Sequence, residues 1–147
     1  MSTHWQKIEA GVLKHSSVHH LMAVHQLLDE QGYARTTDIS KKLNITRGSV
    51  SITLSRLEEN NYIKFDANKH ISLSQKGQKI VDDVLQKRKI LSEFLMESLQ
   101  MEKNEAVNCA CRMEHVISQE VLRRLEIFND FCRENVSSLP EFKQIPL

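Results

Sequence analysis

Residues 35–65 read RTTDISKKLNITRGSVSITLSRLEENNYIKF, and the spacing within this stretch decides the fold. Thr37 is a natural N-cap for a short helix that turns Ile39 and Leu43 inward. A tight Asn44-Ile45 turn follows, and Thr46 caps a longer helix whose inward positions are Val50, Leu54 and Leu57. Two helices joined by about three residues, the second well capped, have helix-turn-helix spacing. Asn60-Asn61 closes the second helix. YIKF and HISLS then read as two short strands around Asp66-Ala67-Asn68-Lys69, residues with turn chemistry. A helix-turn-helix followed by such a hairpin is a winged helix.

Upstream, Ser16 and Ser17 offer N-caps for a helix running to about Glu30, with Leu21, Val24, Leu27 and Leu28 as its apolar stripe. Gly32 supplies its stop. Downstream, a long helical pattern runs from Gln75 to about Leu99, apolar at Ile80, Val84, Leu91, Phe94, Leu95 and Met96. Two further helices are predicted over about 104–116 and 119–132, ahead of a Pro-containing tail. The fold class is therefore mostly α: a winged-helix unit over residues 1–74, including an N-terminal arm and first helix, and a helical unit over 75–147.

The composition fits this division. Hydrophobic residues make up 40% and charged residues 27%, with four glycines and two prolines, a globular and helix-rich balance. Apolar runs fall far short of the ~18 residues a membrane span needs, and the start lacks the layout of a signal peptide. Three cysteines, an odd count, argue against a disulfide framework and for a reducing cytoplasmic setting. The net charge is +1, but residues 35–79 carry +5 and residues 80–147 carry −3. Only the middle third is suited to face a polyanion.

That segment has the parts of a nucleic-acid reader. Thr46, Arg47, Ser49 and Ser51 place small polar groups and positive charge at a helix N-terminus, where phosphates are met. Gly48 lets a backbone approach closely, and an exposed Ile52 suits a thymine methyl. Lys41, Lys42 and Arg56 are placed for phosphates, as is Lys69 at the hairpin tip, with Thr37 at the start of the preceding helix.

A second constellation lies in NCACRMEHVISQEVL, residues 108–122. On a helix, Cys111, Glu114 and His115 stand at i, i+3 and i+4 and share a face. A metal ion usually takes four or more donors, and His19 and Met22 on the first helix, off its apolar stripe, offer more. A half-buried cysteine beside a surface Glu/His pair is the other reading of the same residues.

ACRMEHVISQEVLRRLE, with Y-A-R-T-T-D-I-S-K-K-L, S-V-S-x-x-L-x-R-L, I-S-L-S-Q-K-G and C-x-x-E-H, resembles the metal-dependent repressors of the diphtheria toxin repressor family. The resemblance covers roughly residues 18–131, in the two-domain form without an SH3-like domain. It implies a repressor active in metal homeostasis. It further implies a homodimer built on the C-terminal helices, each subunit binding half of a palindromic double-stranded operator, with divalent iron or manganese as corepressor. It assigns the primary metal ligands to His19, Cys111, Glu114 and His115, and makes 75–147 the dimerisation and metal-sensing domain. The thiol at Cys111 is the iron-type choice. One divalent ion per subunit is expected, with Fe(II) favoured, Zn(II) and Co(II) also suited to these donors, and Mn(II) less so. Met22 would add a weak thioether.

The departures from the family are as informative. The family's second metal site takes a His four residues before a Glu, and the corresponding pair in this chain is Lys89 and Glu93. Another ancillary His falls on Val107. An ammonium is no ligand, so a rival expectation is a metal-independent regulator in which Lys89 bridges Glu93 and Glu114 in place of the ion. A Cys111/His115 enzyme is disfavoured, because no orienting partner or oxyanion-hole glycine is evident, and no catalytic residue is assigned. The dimer interface is expected at Phe94, Leu95 and their neighbours. Cys109 and Cys132 read as packing residues, His4, His15 and His20 as a solvated arm, and His70 as a wing residue facing water or phosphate.

Overall fold

The computed structural model describes residues 13–135 and divides into two compact units, Met1–Asp82 and Asp83–Leu147. Its elements are α1 (His15–Gln31), α2 (Thr36–Leu43), α3 (Arg47–Glu59), β1 (Ile63–Phe65), β2 (Ile71–Leu73), α4 (Gln75–Glu93), α5 (Lys103–Met113) and α6 (Gln119–Glu134). A π-helical turn, Phe94–Ser98, continues α4. The fold is mostly helical, a winged helix-turn-helix followed by a helical unit. Among the described residues, no helix is long and apolar enough to cross a membrane.

In the first unit, Leu21, Val24, Ile39, Val50, Leu54, Leu57, Ile63, Ile71 and Val81 form a core with almost no exposure. Burying such side chains supplies most of the drive to fold, at roughly 1.5–3 kcal/mol each. α1 ends at Gly32, whose φ of 78° is the left-handed conformation glycine adopts without strain. Asn44, φ 53°, makes the turn between α2 and α3, and the Ser40 hydroxyl pins it by donating to the Ile45 carbonyl at 2.7 Å. β1 and β2 pair antiparallel with Lys64 opposite Ser72. Gly77 at the start of α4 lies against Tyr62, where a Cβ would collide with the Tyr62 carbonyl oxygen.

Two expected caps differ from the structure. α1 begins one residue before Ser16, with Lys14 at the N-cap and no side-chain cap bond. α2 begins at Thr36 with Arg35 at the N-cap, so Thr37 lies inside the first turn, half-buried. Both starts lean instead on backbone bonds, Ser17 N–H to the Lys14 carbonyl and Asp38 N–H to the Arg35 carbonyl. Packing of the apolar stripes outweighs a cap worth only about 1 kcal/mol. His15 and His20 are also helical rather than part of a solvated arm. His20 is buried, its Nδ1 2.6 Å from the Ser16 carbonyl oxygen. His4 lies outside the described residues.

The second unit packs Ile90, Leu91, Leu95, Ala106, Ala110 and Leu122 together, with Phe94, Met96, Cys109 and Met113 against them. Cys132 is buried, as its packing role requires, and Asn129 donates to the Ile90 carbonyl at 3.1 Å, tying α6 to α4. Leu95 is thus a core residue and Phe94 stacks edge-on against Phe128, centroids 6.0 Å apart. The expected interface residues thus lie buried (Leu95) or half-buried (Phe94), and the exposed large apolar side chains of this unit are Leu85, Leu99, Val107 and Val116, with Val121, Ile127, Phe128 and Phe131 on α6.

Candidate nucleic-acid interface and effector site

The N-terminus of α3 is the best-organised exposed feature of the first unit. Thr46 Oγ1 accepts the Ser49 N–H at 3.2 Å and lies 2.9 Å from the Ser49 hydroxyl. That fixes the first turn while Arg47, Gly48, Ser49, Ser51 and Arg56 remain exposed. Ile52, a large apolar residue, is 58% exposed on the same helix. The first turn carries no acidic residue, so nothing local offsets the positive end of the helix dipole. A Cβ on Gly48 would meet nothing within 4 Å, so packing within the chain does not demand a glycine there.

The hairpin is braced by charge. Asp66 Oδ1 accepts the Asn68 and His70 N–H groups, both at 2.8 Å, and Oδ2 lies 3.2 Å from His70 Nδ1. The His70 N–H, chief among these, holds the Asp66 carboxyl below its ordinary value. His70 Nε2 is 2.9 Å from Arg35 Nη2, so this histidine is a structural link between strand and loop. Lys69 stands at the tip, exposed, with φ 59°. Lys42 is bonded to both Glu30 oxygens, at 2.8 and 2.9 Å, so its charge is already partnered. Among the described residues, no carboxylate pairs with Arg47, Arg56 or Lys69.

The proposed metal ligands fall in both units. His19 stands on α1 with its Nε2 3.2 Å from that of His15, while Met22 is buried in the apolar core. Cys111 lies in the last turn of α5 and Glu114 and His115 just past its end, His115 Nε2 3.4 Å from Glu114 Oε1. Glu114 is fully buried, and Arg88 of α4 grips it with two bonds, Nε to Oε2 and Nη2 to Oε1, each 2.8 Å. The same Nη2 lies 3.5 Å from Cys111 Sγ. Chiefly through its bonds to Glu114, Arg88 is held above the ordinary arginine value and stays charged.

Lys89 does not bridge to Glu114. Its side chain is 74% exposed and, among the described carboxylates, reaches Glu93 alone, at 3.9 Å. One helical residue turns the direction by about 100°, so Lys89 looks outward while Arg88 looks toward α5. Glu93 is taken by Arg133 at 2.9 Å, and Arg133 also bonds Glu97 and Asp130. Arg88 was not anticipated from sequence, although it lies at helical spacing between the apolar positions Val84 and Leu91.

A capped recognition helix and wing, followed by a separate helical unit with a charged cluster, define a winged-helix transcriptional regulator with a distinct effector and dimerisation unit. This chain belongs to the iron-dependent repressor family. Residues 13–71 match the model of the iron dependent repressor N-terminal DNA binding domain, and residues 74–146 that of the metal binding and dimerisation domain. An uncharacterized HTH-type transcriptional regulator of Methanocaldococcus jannaschii is 32% identical over 69% of this chain and 82% of its own length. The HTH-type transcriptional regulator MntR of Shouchella clausii is 24% identical over 86% of this chain and 87% of its own. The crystal structure of T. acidophilum IdeR superposes with a TM-score of 0.67 at 22% identity, over 78% of this chain and 52% of that one. The chain thus spans about half the length of that solved structure.

Proposed function

We propose that this chain is a transcriptional repressor that binds double-stranded operator DNA as a homodimer, each copy presenting α3 to half of a palindromic site. The observation that carries this reading is the α3 N-terminus: capped, exposed, free of acidic residues in its first turn and flanked by cations without carboxylate partners among the described residues. Its Arg47, Ser49 and Ser51 suit phosphates and base edges, Ile52 suits a thymine methyl, and Gly48 leaves room for a close backbone. Arg56 and Lys69 add phosphate contacts on either side. The apolar side chains of α6, Val121, Ile127, Phe128 and Phe131, supply a surface for a second copy. The family is one of DNA-binding repressors, which favours a regulator over an enzyme.

The test is binding of the full chain to duplexes selected from a random pool, followed across a salt series. Affinity should fall steeply with salt, because phosphate contacts release counterions, and light scattering should report a dimer. Salt-insensitive binding, or a monomer at micromolar concentration, contradicts the proposal.

The family's second domain is a metal-binding one, and a divalent corepressor at His19, Cys111, Glu114 and His115 is the second reading. The contact of His115 with Glu114, and the approach of one Arg88 nitrogen to both Glu114 and Cys111, favour it. The donor set does not fit an ion while Arg88 is in place, since both Glu114 oxygens are already bonded and the thiol is faced by the same guanidinium. Glu93 is likewise engaged, by Arg133. No step of DNA binding is therefore derived through a metal.

A further inference from the structure

We propose that the Arg88 guanidinium takes the place of a corepressor metal in the second unit, linking α4 to α5 by its grip on Glu114 and Cys111. The chain then binds its operator without metal. This inference rests on the operator-binding reading and replaces the family's effector with a residue of the chain.

The geometry carries the argument. Glu114 is fully buried, so its charge needs a counter-charge inside the unit. A metal ion would supply one by sitting about 2.0–2.3 Å from a carboxylate oxygen and a thiolate. Arg88 Nη2 already occupies the space between those two donors, 2.8 Å from Glu114 Oε1 and 3.5 Å from Cys111 Sγ. An ion and this nitrogen cannot share that position, and two cations would repel each other there. The Arg88 fork matches the carboxylate with two parallel bonds, the geometry in which arginine most exceeds lysine. Unlike a histidine, arginine does not release its proton to become a ligand. The linkage joins residues 26 positions apart in sequence, across two helices, as a bridging ion would.

Cobalt tests this in the full chain. Chelator-treated protein is titrated with Co(II) while the thiolate-to-metal absorption band and the melting temperature are followed, beside an Arg88→His variant. Wild type should show no thiolate band and no rise in melting temperature, and chelator should change its operator affinity less than twofold. Arg88→His should bind one equivalent of Co(II), with a band that a further Cys111→Ser removes, and its operator affinity should become at least tenfold chelator-sensitive. Stoichiometric Co(II) binding by wild type with a Cys111-dependent band would overturn the inference, because the ion would then have displaced Arg88. If the variant fails to fold, the wild-type titration decides alone. Loss of DNA binding under every condition would instead defeat the operator reading, leaving the Co(II) result to judge Arg88 by itself.

Discussion

The two units of this chain treat charge in opposite ways. In the first, Arg47, Arg56 and Lys69 are exposed and have no carboxylate partner among the described residues, and the positive end of α3 is left open. In the second, four arginines are matched inside the unit, Arg88 to Glu114, Arg124 and Arg123 to Glu120, and Arg133 to Glu93, Glu97 and Asp130, while the exposed Arg112 pairs with no carboxylate among the described residues. Charge left unmatched on a capped helix is available to something outside the chain. Charge matched around a fully buried carboxylate holds the chain itself together. The family's shared architecture therefore does not dictate a shared effector, because one arginine can fill the role of an ion.

The largest expected effect breaks the matched side of this comparison. Arg88→Ala strands the buried Glu114 charge and should cost about 3–5 kcal/mol of unfolding free energy, read as a fall in denaturant midpoint. Adding Co(II) or Zn(II) should recover part of that loss in the variant and none in wild type.

Caps sharpen the comparison at smaller cost. Thr46 and Ser118 cap α3 and α6 in the same way, each oxygen accepting the N–H three residues on, at 3.2 and 3.3 Å. Thr46→Ala and Ser118→Ala should each lose about 1 kcal/mol of stability. Only Thr46→Ala should also weaken operator binding, measured by anisotropy at a temperature where both variants stay folded.

Surface changes on α3 should leave stability within about 0.5 kcal/mol and act on DNA alone. Arg47→Ala should weaken binding to all sequences and reduce the salt slope by about one. Ile52→Gln should change which sequence a selection recovers. Gly48→Ala meets no neighbour within 4 Å among the described residues, so a loss of affinity is expected to come from the DNA side.

The smallest effect is a pH response of the wing. Asp66 in the folded chain titrates below its ordinary 3.8 because the His70 N–H bonds its carboxylate. Its contribution is thus present above pH 3.8 and lost as pH falls through the lower folded value. Amide exchange at Asn68 and His70 should rise over that acid range, and Asp66→Asn should flatten the response.

Most of the fold was legible because its signals are periodic and local. Val50, Leu54 and Leu57 mark α3 by spacing, and Thr46 caps it where a threonine before an apolar stripe should. The caps at Ser16, Ser17 and Thr37 failed because several polar residues stand near each helix start and packing selects the boundary. The interface expected at Phe94 and Leu95 falls on one half-buried and one buried residue, since apolar character alone does not separate a core seam from an outer one. The pair of Cys111 and Glu114 was legible by its i, i+3 spacing, and one guanidinium reaches both. Its partner on α4 was read one residue late. Lys89 keeps the spacing to Glu93, yet Arg88 lies in register with Val84 and Leu91, the helix's buried face. A charged residue in an apolar stripe was the signal for it.

If Arg88 replaces the metal, the chelator-stripped wild-type protein should hold its operator unaided. Binding should be measured in EDTA, then with Fe(II), Mn(II), Zn(II) and Co(II) added separately without chelator. Tight, salt-dependent binding is expected in EDTA, with no metal improving it beyond twofold. Binding that appears only when one of these ions is supplied would contradict it.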